Sequence, residues 1–209
     1  VSYTFTNDRF NKSLVMMGYG DMGTAGYPTF LGADKGRNIF RQYLTASVRG
    51  YTMLATPNSA VYPKWGACLE IGASTNLGLE KYISPTGYVY GYCYMPGVVP
   101  EQGLKLTAVY QQILSQKSFF GQAVVNVLPR GLQENVQLLS WISTRTPSIV
   151  KMSADYAIPV YIGDLVLGIN VLAVKRLVVT PNFDCTIIGK RALWSAGADL
   201  AFDLESILT

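Results

Sequence analysis

The 209-residue chain holds no histidine. Composition therefore removes imidazole proton transfer, Ser-His-Asp and Cys-His catalysis and His-ligated metals together. The hydrolytic chemistry that survives is a pair of carboxylates. Asp199 and Asp203 share one face of an extended stretch, but four strand residues separate them by about 13 Å, beyond the ~5 to 9.5 Å that glycoside hydrolysis needs. Cross-strand carboxylate pairs remain open, yet no spacing selects one, and the chain reads as no enzyme. Gly18-Tyr19-Gly20-Asp21-Met22-Gly23 has the spacing of a dinucleotide fingerprint. That motif works where a helix follows the glycines and an acidic residue stands about 20 positions on. Here Gly26 and Pro28 oppose a helix, and no Asp or Glu lies between Asp34 and Glu70. The stretch reads as a glycine-rich surface loop, and no cofactor is expected. Cys68, Cys93 and Cys185 fit no zinc spacing. Cys68 and Cys93 lie about equally far from the turn expected over 76–85, so they either face each other across a hairpin as a disulfide or simply pack.

Alternating strands must position these residues. Over 193–205, Trp194, Ala196, Ala198, Leu200, Phe202 and Leu204 fall on one face, and Ser195, Gly197, Asp199, Asp203 and Glu205 on the other. The pattern recurs over 40–55, where Leu44, Ala46 and Val48 oppose Thr45, Ser47 and Arg49. It recurs over 150–158, where Val150, Met152, Ala154 and Tyr156 oppose Lys151, Ser153 and Asp155, and again over 104–110 and 67–74. Helical spacing is not sustained in any of these windows. The length asks for one all-β domain over 1–209.

Charged residues make up 14% of the chain, below the roughly 25% usual for soluble domains, and mean hydropathy is positive. No uninterrupted apolar run reaches the ~18 to 20 residues of a membrane helix. The nearest, 157–174, is interrupted by Pro159, Gly163, Asp164 and Gly168. If the chain meets lipid, it does so as a closed barrel, the β arrangement that leaves no backbone group unpaired in hydrocarbon. Fourteen tyrosines fit that setting, because amphipathic rings collect at the membrane-water boundary. Tyr88, Tyr90, Tyr92 and Tyr94 share one strand face, as boundary residues or because aromatics favour strands. The net charge of +4 is dispersed, and no basic run points to nucleic acid. The chain opens at Val1 in strand-like sequence without a signal peptide, which reads as a processed product or a piece of a longer protein.

Turn-rich stretches at 18–36, 56–64, 76–87 and 96–103 divide the strands, and the longest connection runs over 116–148. They leave about seven to nine strands, each long enough to cross a bilayer at a tilt.

Three fragments follow in order: Leu128-Pro129-Arg130-Gly131-Leu132, Ala154-Asp155-Tyr156-Ala157-Ile158-Pro159 and Pro181-Asn182-Phe183-Asp184. With Tyr62-Pro63-Lys64-Trp65-Gly66 and Tyr94-Met95-Pro96-Gly97, they resemble the C-terminal barrel of the bacterial surface antigen family. That superfamily includes the outer-membrane protein assembly factor and the two-partner secretion transporters. The resemblance is greatest to barrels of Bacteroidetes-type bacteria that follow a periplasmic β-propeller, and it covers the chain from about Phe40 onward. It implies an Arg-Gly loop folded back into the lumen. Arg130, with Gly131, is then the latch, Asp184 its partner, and Asp155 the acidic position of the preceding strand. A permanently charged guanidinium in a confined lumen would also seek a carboxylate on physical grounds. Asp199 and Asp203 belong to an acidic lumen face. The chain departs from the family at Pro129, usually an aliphatic residue, and at Leu132, usually an aromatic one.

Barrels of this family have about sixteen strands, within the range of outer-membrane barrels. The expectation is therefore a transmembrane antiparallel β-barrel segment, the C-terminal half or middle of such a barrel, incomplete at both ends. It sits in the outer membrane against lipid, with the remaining strands from the same or another chain. Its expected role is insertion or translocation of proteins, with a polypeptide substrate and periplasmic or lipoprotein partners. The alternatives are a non-transporting anchor for a surface or periplasmic assembly, and a soluble β-barrel holding an apolar ligand.

Overall fold

The computed structural model describes residues 2–6, 10–26, 38–55, 60–77, 85–114, 127–132, 148–167 and 172–206. They form nine strands: β1 (Ser2–Thr6), β2 (Phe10–Gly26), β3 (Asn38–Leu54), β4 (Gly66–Leu77), β5 (Thr86–Pro96), β6 (Gly103–Ile113), β7 (Ser148–Leu167), β8 (Leu172–Ile188) and β9 (Arg191–Ser206). Each pairs antiparallel with the next in one sheet of order β1 to β9. The architecture is all-β. Among the described residues the sheet is open, with β1 and β9 at its edges.

The register joins the alternating patterns of separate strands into two continuous faces. One row runs Val48, Ile71, Val89, Tyr110, Val150 and Ile187 across β3 to β8. A second runs Leu69, Gly91, Ala108, Met152, Cys185 and Trp194 across β4 to β9. Most residues of these rows are exposed, Ile71 to 56% and Trp194 to 69%, while Gly91, Val150 and Cys185 are half-buried. The opposite face buries Thr45, Ser47, Glu70, Ser74, Gln111, Lys151, Asp155, Asn182, Asp184 and Thr186. The sheet is thus inverted relative to a water-soluble domain, with apolar side chains outward and polar ones inward. We call these the outer and inner faces.

Several local expectations change once register is known. The glycine fingerprint is strand, not loop: Gly18, Gly20 and Gly23 lie in β2, paired with Ala46, Leu44 and Arg41 of β3. Glycine weakens a strand interior, but β3 offers a pairing partner along the full length of β2. Pro28 lies outside the described residues. Tyr88, Tyr90, Tyr92 and Tyr94 do share a face, but it is the inner one. They stand opposite Gly72, Glu70, Cys68 and Gly66, so they are wall residues of the interior rather than an outward aromatic belt. Most of the 116–148 connection lies outside the described residues, apart from 127–132.

Cys68 pairs with Tyr92, and Cys93 with Ala67. A one-residue offset in a period-two strand sends the two thiols to opposite faces. All three cysteines are free, and the cross-strand disulfide is ruled out by register. The protein should run identically on gels with and without reductant. Under denaturing, non-reducing conditions, Cys68 and Cys93 should both be alkylated; a crosslinked Cys68 to Cys93 peptide in a mass map would overturn this register.

Candidate functional site

Residues 127–132 lie on the inner face between β6 and β7, and their own sequence shapes them. Leu132 N–H donates to the Pro129 carbonyl at 3.1 Å, and Gly131 has φ +78°. Glycine third in a four-residue turn is what a type II turn demands, because that position needs positive φ. The turn presents Arg130 to the strands.

The backbone ahead of the turn is held by strand side chains. Thr186 Oγ1 donates to the Val127 carbonyl at 2.7 Å, and Lys151 Nζ to the Leu128 carbonyl at 2.7 Å. Val127 and Leu128 are themselves buried against Val109, Ile149 and Ile188, with Tyr90 and Leu193 packed alongside. Pro129 is also fully buried.

Arg130 then meets three carboxylates on three consecutive strands. Its backbone N–H donates to Asp184 Oδ2 at 2.8 Å, and its Nε lies 3.2 Å from the same oxygen. Nη2 contacts Asp155 Oδ1 and reaches Asp184 Oδ1 at 3.3 Å. Nη1 lies 3.3 Å from Asp199 Oδ2, which also accepts from Asn182 Nδ2 at 3.0 Å. Lys151 Nζ stands 3.8 Å from Asp184. Burial works against the charge on Arg130, but the hydrogen bond and charge of Asp155, then Asp184 and Asp199, outweigh it and leave the guanidinium pKa raised. The planar fork is the group that can serve several carboxylates at once.

A second loop approaches from the other end of the sheet. The β3–β4 connection lays Tyr62 against Tyr94, ring centroids 5.3 Å apart, and offers the Ala60 carbonyl to Arg176 Nη1 at 3.4 Å. Burial pushes the Tyr62 phenol pKa up, and the charge of Asp155 adds to it. Arg176 also pairs with Asp203 at 3.4 Å. Between the two loops lies a cleft of about 480 Å³ lined by Tyr62, Arg130, Asp155, Arg176, Asp199 and Asp203.

No protein-family model, curated protein or solved structure matches the chain. Geometry alone therefore carries the functional reading. The structure brings Arg130, Asp155, Asp184 and Asp199 together, with Gly131 in the turn that aims Arg130. Asp203 stands apart, with Arg176. Among the described residues no group of acidic or cysteine side chains is arranged to hold a metal. The arrangement's chemistry is that of holding a chain segment against a wall.

Sequence reasoning did not single out Lys151, Thr186 or Arg176. Each reaches a backbone carbonyl, which no residue type announces, although Lys151 and Thr186 do sit on the polar face of their strands. It also missed the inner-wall cluster in which Glu70 accepts from Arg49 Nε at 2.5 Å and Tyr88 Oη at 2.7 Å. Arg49, Glu70 and Tyr90 share one register row, a signal available only once the β3–β4 and β4–β5 pairings are fixed.

The three carboxylates of Arg130 differ in burial, with side chains exposed 0% for Asp184, 12% for Asp155 and 65% for Asp199. Replacing each by alanine should destabilise in that order. Asp184→Ala should cost about 3–5 kcal/mol, because it leaves the buried Lys151 ammonium and the Arg130 backbone N–H without the carboxylate they share. Asp199→Ala should cost under about 1 kcal/mol, as solvent-screened pairs do. Unfolding of the three variants and their double-mutant cycles with Arg130→Ala would check this; equal losses at Asp184 and Asp199 would contradict it.

Proposed function

We propose that this chain forms part of the wall of an outer-membrane β-barrel resembling those of the surface antigen family, serving insertion or translocation of proteins at that membrane. The observation that carries the reading is the inversion of the sheet. A continuous apolar face of Leu44, Val48, Leu69, Ile71, Met152, Phe183, Trp194, Leu200 and Phe202 is exposed, while lysine, arginine and carboxylates line the other side. Strands of a membrane barrel alternate in this sense, apolar toward lipid and polar toward the lumen. β7 has 20 residues, more than the roughly 9–11 that a tilted strand needs to cross hydrocarbon. The strand then projects beyond the bilayer.

Hydrocarbon does not tolerate an unpaired strand edge. The reading therefore requires further strands, from the same or another chain, beside β1 and β9. In a barrel of this kind the Arg130 turn is a lumen latch, and movement of a polypeptide is a mechanical event that shifts it. A non-transporting anchor is favoured by one observation: two loops, 60–65 and 127–132, both lie on the inner face and narrow the space a substrate would use. A soluble barrel enclosing an apolar ligand is disfavoured, since the face it would use for binding is the polar one.

The full-length protein in bilayers should show lipid contact at Trp194. With Trp65 and Trp141 replaced by phenylalanine, bromine-labelled acyl chains should quench Trp194 fluorescence strongly. Ile71→Lys should destabilise the bilayer-inserted protein by about 2–4 kcal/mol if it lies near the midplane. Absent quenching, together with a neutral Ile71→Lys, would sink the membrane reading. Conductance separates transport from anchoring: Arg130→Ala should raise it in a gated barrel, whereas silence in both forms would favour the anchor.

A further inference from the structure

The inner face carries a cluster of apolar side chains beneath residues 127–128. Val109 on β6, Ile149 on β7 and Ile188 on β8 break the pattern side by side, and Val127 and Leu128 are buried on them. The strand pairing does not run through that segment. Beneath it the strands pair without interruption, Val109 with Lys151 and Lys151 with Thr186, and Ile149 with Ile188. The segment adds no strand; it is seated on a finished wall.

Its mode of attachment is that of a bound peptide. Three successive backbone groups, the carbonyls of Val127 and Leu128 and the N–H of Arg130, are read by Thr186, Lys151 and Asp184. Those three wall side chains are buried, and backbone contacts of this kind are indifferent to the sequence bound. Selectivity comes from the apolar patch, which takes two aliphatic side chains, and from the carboxylates beyond it, which take a guanidinium.

We infer that this socket is a binding site for short peptide segments with two consecutive aliphatic residues followed closely by arginine, occupied in the resting protein by residues 127–132. The chain's own segment acts as a tethered competitor. Tethering supplies it at an effective concentration on the order of millimolar, so a segment in trans displaces it only when abundant or held nearby. In a translocation barrel the displacing segment is a stretch of the passing polypeptide; that consequence rests on the function proposed above, whereas the socket itself does not.

The test uses the peptide Val-Leu-Pro-Arg-Gly-Leu, capped at both ends and carrying a photo-crosslinker, with the full-length protein. When residues 127–132 are replaced by a Gly/Ser linker, the peptide should bind saturably and crosslink to β7 or β8. Wild-type protein should show the same crosslinks only at millimolar peptide, about tenfold or more above the concentration the replaced form needs. Lys151→Met in the protein, or arginine to alanine in the peptide, should each weaken binding about tenfold or more, as loss of a charge-assisted hydrogen bond does. If the replaced form does not fold, the wild-type arm at millimolar peptide still decides. No specific crosslink in any folded form, or crosslinking indifferent to Lys151→Met and to the peptide's arginine, would overturn the inference. Trp194 quenching, measured on the protein with Trp65 and Trp141 replaced by phenylalanine, reports the membrane reading separately, so either idea can fail without the other.

Discussion

A carboxylate with no access to solvent governs the centre of this molecule. Asp184 is fully buried on β8, and an ion in that position costs several kcal/mol unless charge and hydrogen bonds compensate it. Compensation has to come from groups that can reach the inner face of β8. Lys151 reaches across from β7. Arg130 supplies both a backbone N–H and its guanidinium, and it can do so only if residues 127–132 lie down on the sheet. The position of the loop is thus a consequence of the carboxylate as much as of the loop's own turn. Asp155 and Asp199 flank the same guanidinium from neighbouring strands, so three strands and one loop share a single electrostatic centre.

Much of this was legible in the sequence, because strand periodicity survives without any knowledge of pairing. The alternation over 193–205 sorts Trp194 and Leu200 from Asp199 and Asp203 on inspection, and the structure keeps that sorting, with Trp194, Leu200 and Phe202 exposed. Register was not legible. Cys68 and Cys93 are symmetric about the hairpin to within one residue, and that one residue decides which face each thiol takes. The same ignorance left the tyrosine row of β5 without a side, since alternation says which residues share a face but not whether that face is inner or outer. Gly18 and Gly20 misled in another way. Glycine signals a loop when read alone, but β3 offers a full ladder of partners, and long-range pairing overrides local preference.

The socket lay beyond sequence reading for a different reason. Ile149 and Ile188 stand on the largely polar inner face, where an isolated apolar residue looks like noise. Only the pairing of Ile149 with Ile188 and the nearness of Val109 turn the exceptions into a patch. A pattern broken on three adjacent strands at once is a feature with a purpose, since sequences tend to violate local rules where a site must be built.

The apolar and ionic halves of the seat contribute in different currencies. Burying a valine and a leucine side chain favours the seated loop by about 1.5–3 kcal/mol each, with no dependence on direction and little on salt. Arg130 gives up hydration to reach its carboxylates, so its net contribution is smaller than three short contacts suggest. What the guanidinium adds is geometry, because a fork shared among Asp155, Asp184 and Asp199 fixes the rotation of the turn as well as its depth. Removing the arginine would then leave a loop that is still seated but poorly oriented. Removing the aliphatic pair would leave one that is well aimed and weakly held. Arg130 at the site the sequence announced is the orienting element, and the holding is done by Val127 and Leu128, to which sequence reading gave no role.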